Sequence, residues 1–437
     1  MLDTLRNARV GVGLGMLAIS LLVAPRARAA DRYVAPAGND AGNACLVAAT
    51  PCRSMERAIT QSASGDVVNV AQGKYRENLR IDFSTTLSFL GGWDAQFVLR
   101  DPTAHPTIIR SARVSTTPPG FPKRDRMWAI QAAQAGVDIT VSIDGFVLMR
   151  GFATSQPPTP TDDPNDHWED GGALDATARG GTVHVSVSHS TITKNKASIN
   201  GGGLSAHAFN GGTVALVLDD VIITRNKAHE GGGGITLAGV NTVGQTVSRV
   251  TLSASNCVIA GNRAHGSVRA DLGNEVLLGG GAIWSSSYSE GGAPGSLITI
   301  ALLNSTLTDN KADVVGGINI DADGGPGDAT RLDLQNTILT ANRDAGGFGD
   351  LLMQTGTLLT VDADHSAIGT RSATGGTFND LGGNVNVEPG LDRTYHLTAT
   401  SPLIDAGSCT LAPPTDLDGD ARPSGASCDI GADEFVP

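Results

Sequence analysis

One short polar segment of the sequence combines three acidic side chains with an indole ring. Asp166, Glu169 and Asp170 surround Trp168 at the end of a polar insertion that runs from 155 to 170. An indole can stack on the face of a sugar, and carboxylates beside it can bind hydroxyl groups or Ca²⁺. The alternative is an ordinary solvated loop whose Trp168 folds back on the protein. We keep both interpretations and name these four residues as candidate ligand contacts.

A second insertion, 265–278, precedes two more aromatic residues, Trp284 and Tyr288. If both insertions flank one groove, they form a wall that can bind a glycan. Spacing along the chain leaves open whether the two insertions share a face. Trp284 and Tyr288 therefore join the candidate ligand contacts.

Three further acidic residues, Asp416, Asp418 and Asp420, alternate in the manner of a Ca²⁺-binding loop. The full EF-hand pattern is absent, because Gly419 takes the fourth place and Ser427 stands where a glutamate is required. Aspartates also satisfy turns without a metal, and that is the alternative. The sequence shows no His/Cys cluster for zinc. It therefore predicts no definite cofactor, with Ca²⁺ at these three aspartates as the candidate metal.

The N-terminal segment 1–29 has the pattern of a secretory signal peptide: basic residues, an apolar run over 10–24 and a small-x-small sequence that ends at Ala29. The apolar run is too short for an ordinary membrane-spanning helix. We therefore expect cleavage after Ala29 or Ala30, an extracytoplasmic mature protein and no transmembrane segment. The formal charge of −13 becomes more negative without this segment, which argues against nucleic acid as a partner.

The cysteines fall into two close pairs and one single residue. In an exported chain, close pairs are candidate disulfides, so Cys45 with Cys52 and Cys409 with Cys428 are expected to staple the two ends. Cys257 lies in a strand-like setting. It is expected to be a small buried core residue rather than a reactive thiol.

The strongest pattern in the sequence is an internal repeat. A short element of the type Ile-Thr-x-Asn-Lys-Ala recurs five times, and its asparagines are 31, 36, 48 and 32 residues apart. Each unit also contains a glycine doublet followed by an aliphatic residue and a stretch that alternates apolar and polar residues. A unit of this length with tolerated insertions is typical of a solenoid. The five repeated asparagines are Asn195, Asn226, Asn262, Asn310 and Asn342.

Three short strands per repeat cannot bury their apolar side alone, but stacked copies pair every strand and close a continuous interior. The predicted fold is therefore all-β: a single right-handed parallel β-helix over 65–395. A cap segment precedes it over 30–64, with a short helix around Ala58 that covers the first coil, and a C-terminal cap follows over 396–437. We expect the asparagines to form a hydrogen-bonded ladder and the glycine doublets to be corners with positive φ.

Alignment of the glycine strands predicts two outward columns of side chains on one face. Neither column contains the Lys or Arg that a lyase requires, and Asp175 lies several coils from Asp321, too far for the carboxylate pair of a hydrolase. The first column is Asp175, Ser205, Thr236, Trp284 and Asn319; the second is Thr177, His207, Ala238, Ser286 and Asp321.

The repeat unit, with Thr-Lys-Asn195-Lys-Ala and Gly-Gly-Gly-Leu204, resembles the middle-domain repeats of chlamydial polymorphic outer membrane proteins, although it lacks the phenylalanine of their motif. More broadly, the chain resembles secreted bacterial β-helix proteins of the pectate-lyase-like superfamily. Its N-terminal segment 33–75 is similar to the usual entry segment of those proteins. The motif Asp429-Ile-Gly-Ala-Asp-Glu434-Phe is similar to the C-terminal module of choice-of-anchor Q proteins. The pectate-lyase-like superfamily includes lyases, hydrolases, epimerases and adhesins, so the fold does not select the activity.

The sequence therefore favours a secreted or cell-surface β-helix protein, monomeric, that recognises a glycan or another envelope component. A polysaccharide-active enzyme, a lyase or a glycoside hydrolase, is the alternative, and a purely structural envelope protein is a third possibility. The recognition hypothesis comes first because the sequence shows a complete scaffold and no acid–base pair.

Overall fold

The computed structural model describes residues 29–112, 126–153, 170–269, 276–289, 291–322, 325, 327–345, 349–354 and 358–437. These residues form a right-handed parallel β-helix, as the repeats predict. One α-helix, Met55–Gln61, lies before the second strand. Among the described residues, no helix is long and apolar enough to cross a membrane. The predicted signal peptide lies outside the described residues except for Ala29.

Sheet 1 has two arms that meet at a corner of each coil. The first arm contains Asp31–Val34, Val67–Ala71, Thr85–Trp93, Asp138–Asp144, Arg249–Ser255, Leu297–Leu303, Ala329–Gln335, Leu359–Asp364 and Thr377–Gly382. The second arm contains Gly73–Arg76, Thr107–Arg110, Phe146–Met149, Val258–Ala260, Thr306–Thr308, Ile338–Thr340 and Ala367–Ile368. Two longer strands pass through the corner and belong to both arms: Thr182–Thr193 and Thr213–Thr224.

Sheet 2 forms the third side of the coil. It contains Leu79–Ile81, Trp128–Ala132, Leu174–Arg179, Leu204–Phe209, Ile235–Asn241, Ile283–Ser289, Ile318–Asp321, Leu351–Met353 and Arg371–Ala373. A short third sheet joins Phe152–Ala153, Lys196–Ala197, Lys227–Ala228 and Arg263–Ala264, and Ser267–Arg269 pairs antiparallel with Val276–Leu278.

Period-two alternation explains why these segments are strands. In Thr213–Thr224, the side chains of Val214, Leu216 and Leu218 point into the solenoid and are fully buried, while the residues between them face outward. Each coil repeats this pattern on three sides, so the inward side chains of stacked coils form one continuous core. The apolar surface that a single coil exposes is thereby removed from water.

The repeated asparagines form a hydrogen-bonded ladder inside one corner. Nδ2 of Asn195 donates to Oδ1 of Asn226 at 2.9 Å, and Nδ2 of Asn226 donates to Oδ1 of Asn262 at 3.0 Å. Asn310 and Asn342 continue the series with the same contact at 2.9 Å. Each Oδ1 also accepts the backbone N–H of the asparagine one coil earlier. The side chains thus satisfy buried backbone groups that the strands leave unpaired.

A second polar column lies at the corner between the two arms of sheet 1. It occurs six residues before each ladder asparagine, and its members have positive φ, from 43° to 54° in the five repeats. Asn, Asp and His tolerate this left-handed conformation better than other non-glycine residues. The constant spacing of this column is visible in the repeats, but the column was not predicted. Its members are His189, Asp220, Asn256, Asn304 and Asn336.

Glycine is required at the doublets for two different structural reasons. Gly171 and Gly201 have positive φ, 68° and 63°, as predicted. Gly232 and Gly280 do not; a Cβ at these positions would lie 1.7 and 1.9 Å from a backbone carbonyl oxygen. The expectation of positive φ is therefore wrong for Gly232 and Gly280, where close backbone approach excludes a side chain.

Both predicted disulfides are present and close the ends of the chain. Cys45 is bonded to Cys52 near the capping helix, and Cys409 is bonded to Cys428 in the C-terminal segment. Cys257 is a buried free thiol, and burial raises its pKa to about 12, so it is unreactive at neutral pH.

The C-terminal module, residues 390–437, packs along the outer side of the second arm. Leu397, Leu403 and Ile430 contact outward residues of the last coils, and Ala432 reaches Val258 further back along the solenoid. The corner column holds the module by hydrogen bonds: Asn336 Nδ2 donates to the carbonyl of Ser408 at 2.6 Å. Docking therefore depends on polar residues that the solenoid repeats at every coil.

We predict that Asn226→Ala lowers the free energy of unfolding by about 2 to 4 kcal/mol, because buried donors of Asn195 lose their acceptor. Urea denaturation monitored by circular dichroism measures this loss. Asn386→Ala, at an exposed asparagine, is the control and should change stability by less than about 0.5 kcal/mol. Equal effects of the two substitutions would show that the ladder is dispensable.

Candidate functional site

The two predicted side-chain columns lie on the outward face of sheet 2. Asp175 pairs with Ser205, Ser205 with Thr236, and the register continues through Trp284 to Asn319. The same pairings align the second column from Thr177 to Asp321. A third column, not recognised from the sequence, consists of Arg179, Phe209, Val240 and Tyr288. We call these three columns the sheet 2 face.

The first column of this face is not open to solvent, contrary to the picture of an outward strip. Asp175, Thr236 and Asn319 are fully buried. Glycine-rich turns cover them: the N–H of Gly232 donates to Oγ1 of Thr236 at 2.8 Å, and Nδ2 of Asn319 donates to the carbonyl of Gly279 at 3.2 Å. Because glycine backbones approach closely, polar side chains here serve as hydrogen-bond partners of the turns.

A buried group of charged and polar residues, which we call the Asp175 cluster, lies at one end of the face. Oδ2 of Asp175 accepts from Nη1 of Arg126 at 2.8 Å and from Nε2 of Gln131 at 3.1 Å. Its Oδ1 accepts from Oγ of Ser205 at 2.7 Å. Oγ1 of Thr177 adds contacts of 3.1 to 3.2 Å to both oxygens. The carboxylate is therefore held by donors on several sides.

The charge of Asp175 is fixed by these neighbours. Burial alone would raise the pKa of Asp175, but Arg126, His207 and Ser205 outweigh burial and hold the pKa well below its ordinary value. Arg126 lies 49 residues before Asp175, so no local pattern could have linked them. The first two columns contain no Lys or Arg, and the structure places Arg126, from outside the repeats, against the first of them.

Asp170 and His207 complete the cluster. The imidazole lies between two carboxylates: Nε2 is 3.6 Å from Oδ2 of Asp170, and Nδ1 is 3.6 Å from Oδ1 of Asp175. Asp170 also accepts the backbone N–H of Asn200 at 2.7 Å. Both Asp170 and His207 are buried. The imidazole and the two carboxylates therefore form one buried polar group at this end of the face.

The predicted aromatic contacts lie two coils further along the face. Trp284 is 7% exposed, and its ring lies against Gly231, where any side chain would collide with it. Within the described residues, Nε1 of Trp284 has no hydrogen-bond partner. Tyr288 projects from the same side of the strand and is half-buried. The indole N–H is therefore buried, and Tyr288 is the more accessible of the two aromatic residues.

The remaining predicted ligand contacts, Asp166, Trp168 and Glu169, lie outside the described residues. Residues 270–275 of the second insertion also lie outside the described residues, so the common groove between the two insertions stays a prediction. Asp170, the last residue of the first insertion, is a structural partner of Asn200 and His207 rather than a solvent-exposed ligand contact.

The predicted calcium loop has the contacts of a turn. Oδ1 of Asp416 accepts the backbone N–H groups of Asp418 and Asp420 at 2.9 and 2.8 Å. Its Oδ2 accepts the backbone N–H of Glu434 at 2.9 Å. Asp416 is buried, whereas Asp420 is exposed. The turn-bonding alternative therefore describes Asp416, and Ca²⁺ at Asp416, Asp418 and Asp420 remains a prediction.

An open cleft lies where the C-terminal module leaves the solenoid corner uncovered. His189 forms its floor, with Nδ1 3.3 Å from Asp144 and Nε2 3.4 Å from Asp220. Burial raises the pKa of Asp220, whereas Arg100 and Ser188 overcome burial and lower the pKa of Asp144. The cleft has a volume of about 470 Å³, and its lining includes Arg100, Pro102, Thr103 and Thr415–Gly419.

Comparison with known proteins finds similar architecture only. No family model matches the chain, and no curated protein matches it. A solved structure of pectate lyase Pel9A aligns with a TM-score of 0.42 and 12% identity over 93% of this chain and 96% of that one. The complex of XylC with xylose aligns with a TM-score of 0.32 and 10% identity over 93% and 98%. Likenesses at these levels carry no argument about function.

We predict that Asp175→Asn lowers the free energy of unfolding by about 3 to 5 kcal/mol at pH 7, because it removes the charge facing the buried Arg126. The difference in stability should shrink as the pH falls below 3.8, the ordinary pKa of Asp, because the unfolded wild-type chain then takes up a proton at Asp175 and the ionised carboxylate contributes less to stability. Urea denaturation at several pH values measures it.

The control for this prediction is Asp333→Asn, which breaks an exposed contact with Arg331. Its effect should stay below about 1 kcal/mol because solvent screens the pair. If Asp175→Asn were as mild as the control, the cluster would not depend on a buried charge.

Proposed function

We propose that this protein is an extracytoplasmic β-helix protein that binds a glycan along the sheet 2 face. The observation that carries the proposal is the half-buried ring of Tyr288, which lies on the same side of its strand as the half-buried hydroxyl of Ser286 and in register with Val240. Aromatic rings stack on the apolar faces of sugars, and nearby polar groups bind their hydroxyls.

The dimensions of the face support a chain-like ligand. Trp284 and Tyr288 are four residues apart on one strand, which corresponds to about 13 Å. Successive coils repeat about every 4.8 Å, so partners recur regularly along the solenoid axis. Half-buried Ser286 and Tyr288 leave part of the face accessible. Asp166, Trp168 and Glu169, directly before Asp170 in the chain, stay predicted contacts of the same ligand.

Extracytoplasmic location is supported by the covalent structure. Two disulfides are typical of a protein from an oxidising compartment. We also propose that residues 1–29 are a signal peptide. We further propose that the repeats are related to those of polymorphic outer membrane proteins and the C-terminal module to that of choice-of-anchor Q proteins. Fractionation of cells that produce the protein distinguishes among the cell surface, the periplasm and the medium as its location.

Catalysis on a polysaccharide is the second candidate, and the Asp175 cluster favours it. His207 lies between two carboxylates, with Arg126 near one of them. Such an arrangement can move protons, as a lyase or hydrolase requires. Binding remains the first proposal because Asp175 is buried and already accepts hydrogen bonds from several donors, which suits support of the face better than proton transfer.

The purified mature protein should bind at least one member of a panel of neutral and acidic polysaccharides, tested with and without Ca²⁺. Tyr288→Ala should weaken that binding about tenfold, corresponding to loss of about 1.4 kcal/mol of stacking. Calorimetry measures affinity, while reducing ends and unsaturated-product absorbance measure turnover in the same samples.

Tyr33→Ala is the matched control, because Tyr33 is half-buried and lies in the first strand of sheet 1. It should leave the affinity unchanged. Equal loss in both variants, or no binding to any glycan, would refute the proposal. Product formation that disappears in His207→Ala would instead favour the enzyme.

A further inference from the structure

Three side chains from separate parts of the C-terminal module converge beside the corner cleft. Nε2 of His396 lies 2.6 Å from Oδ2 of Asp418. Together with a carboxylate oxygen of Asp433, these ligand atoms all lie within 4.8 Å of one another. His396 and Asp418 are 22 residues apart, which explains why the sequence shows no metal-binding motif here.

Hydrogen bonds fix the orientation of the imidazole. Oγ1 of Thr394 lies 2.8 Å from Oδ1 of Asp392 and 2.8 Å from Nδ1 of His396. A carboxylate only accepts, so the Thr394 hydroxyl donates to Asp392 and its oxygen accepts the Nδ1–H of His396. Nε2 is thereby assigned to the side of the ring that faces Asp418 and Asp433.

The other two ligands are also positioned by the backbone. Asp433 is buried, and its Oδ2 accepts the N–H of Leu397 at 2.7 Å. The N–H of Asp418 donates to the buried Asp416 at 2.9 Å. Three different turns thus present their side chains at one point without rearrangement.

This arrangement requires a positive charge at its centre. Nε2 of His396 lies 2.6 Å from a carboxylate oxygen that can only accept, so without a metal ion Nε2 carries a proton and donates it to Asp418; a divalent ion can take the place of that proton. Three acceptors at such short separation repel unless a proton or a metal ion lies between them. The chain from Asp392 through Thr394 to His396 is also the kind of outer hydrogen bonding that orients metal-binding imidazoles.

We propose that His396, Asp418 and Asp433 bind a divalent transition-metal ion of the zinc class. One imidazole nitrogen and two carboxylate oxygens suit Zn²⁺ or Co²⁺, whereas Ca²⁺ takes oxygen ligands. Half-exposed His396 and exposed Asp418 leave the remaining coordination positions to water. The site differs from the calcium loop predicted from the sequence, since Asp416 is occupied by backbone N–H groups and Asp420 is not a member.

Titration of the metal-free mature chain with Co²⁺ and Zn²⁺ tests this site. We expect one ion per chain, with a visible Co²⁺ absorption band typical of low coordination number, and weaker binding of Ca²⁺. His396→Ala and Asp418→Asn should each weaken Zn²⁺ binding at least tenfold. Thr394→Val removes no metal ligand but takes away the hydroxyl oxygen that accepts the Nδ1–H of His396, so it should weaken Zn²⁺ binding about tenfold by releasing the imidazole.

His365→Ala is the matched control. His365 also contacts an aspartate, with Nδ1 2.7 Å from Oδ1 of Asp364, but it is not part of a three-ligand group. This variant should bind the ion as the wild type does, and circular dichroism should show that all variants are folded. The proposal is wrong if the wild type binds no Zn²⁺ or Co²⁺ saturably, if His365→Ala is as weak as His396→Ala, or if Ca²⁺ is preferred.

Discussion

The hydrogen bonding of the asparagine ladder is the constraint on which the solenoid depends. Where a coil turns between strands, its backbone N–H groups point into the interior and lack strand partners. Each asparagine from Asn226 to Asn342 accepts the N–H of its counterpart one coil earlier, and each from Asn195 to Asn310 donates to the next amide along the stack. This contact requires only that the amides stay aligned, so coils of 31 to 48 residues can share one ladder. Insertions are accordingly confined to the loops between aligned elements.

The corner column applies the same principle on the outside. Its left-handed residues carry amide, carboxylate or imidazole groups that point away from the core, and the C-terminal module bonds to several of them. Because the module covers the later coils and the loop around Arg100 covers an earlier corner, the His189 and Asp220 corners remain uncovered between them. The cleft, with the His396 group at its edge, therefore lies where the contact between the C-terminal module and the solenoid ends.

The sheet 2 face shows how a repeat can acquire individual chemistry. Its register is uniform, yet its side chains change from a charged, buried end at Asp175 to an aromatic region at Trp284 and Tyr288. The buried carboxylate stays ionised because a guanidinium and hydroxyl donors compensate its desolvation. The scaffold thereby holds the side chains of this face in a fixed register.

The amino-acid pattern alone was sufficient to predict the class of fold, the ladder asparagines, the disulfide pairs and the register of two outward columns. These features follow from periodicity: strands alternate every two residues, and a recurring coil places equivalent residues above one another. Only the tertiary structure showed that Arg126 faces Asp175, that glycine turns bury the first column, and that His396, Asp418 and Asp433 meet. Those contacts join residues from non-repeating segments, whose positions depend on how each segment packs against the solenoid. Periodicity carries no information about such packing, so it could not be derived from spacing.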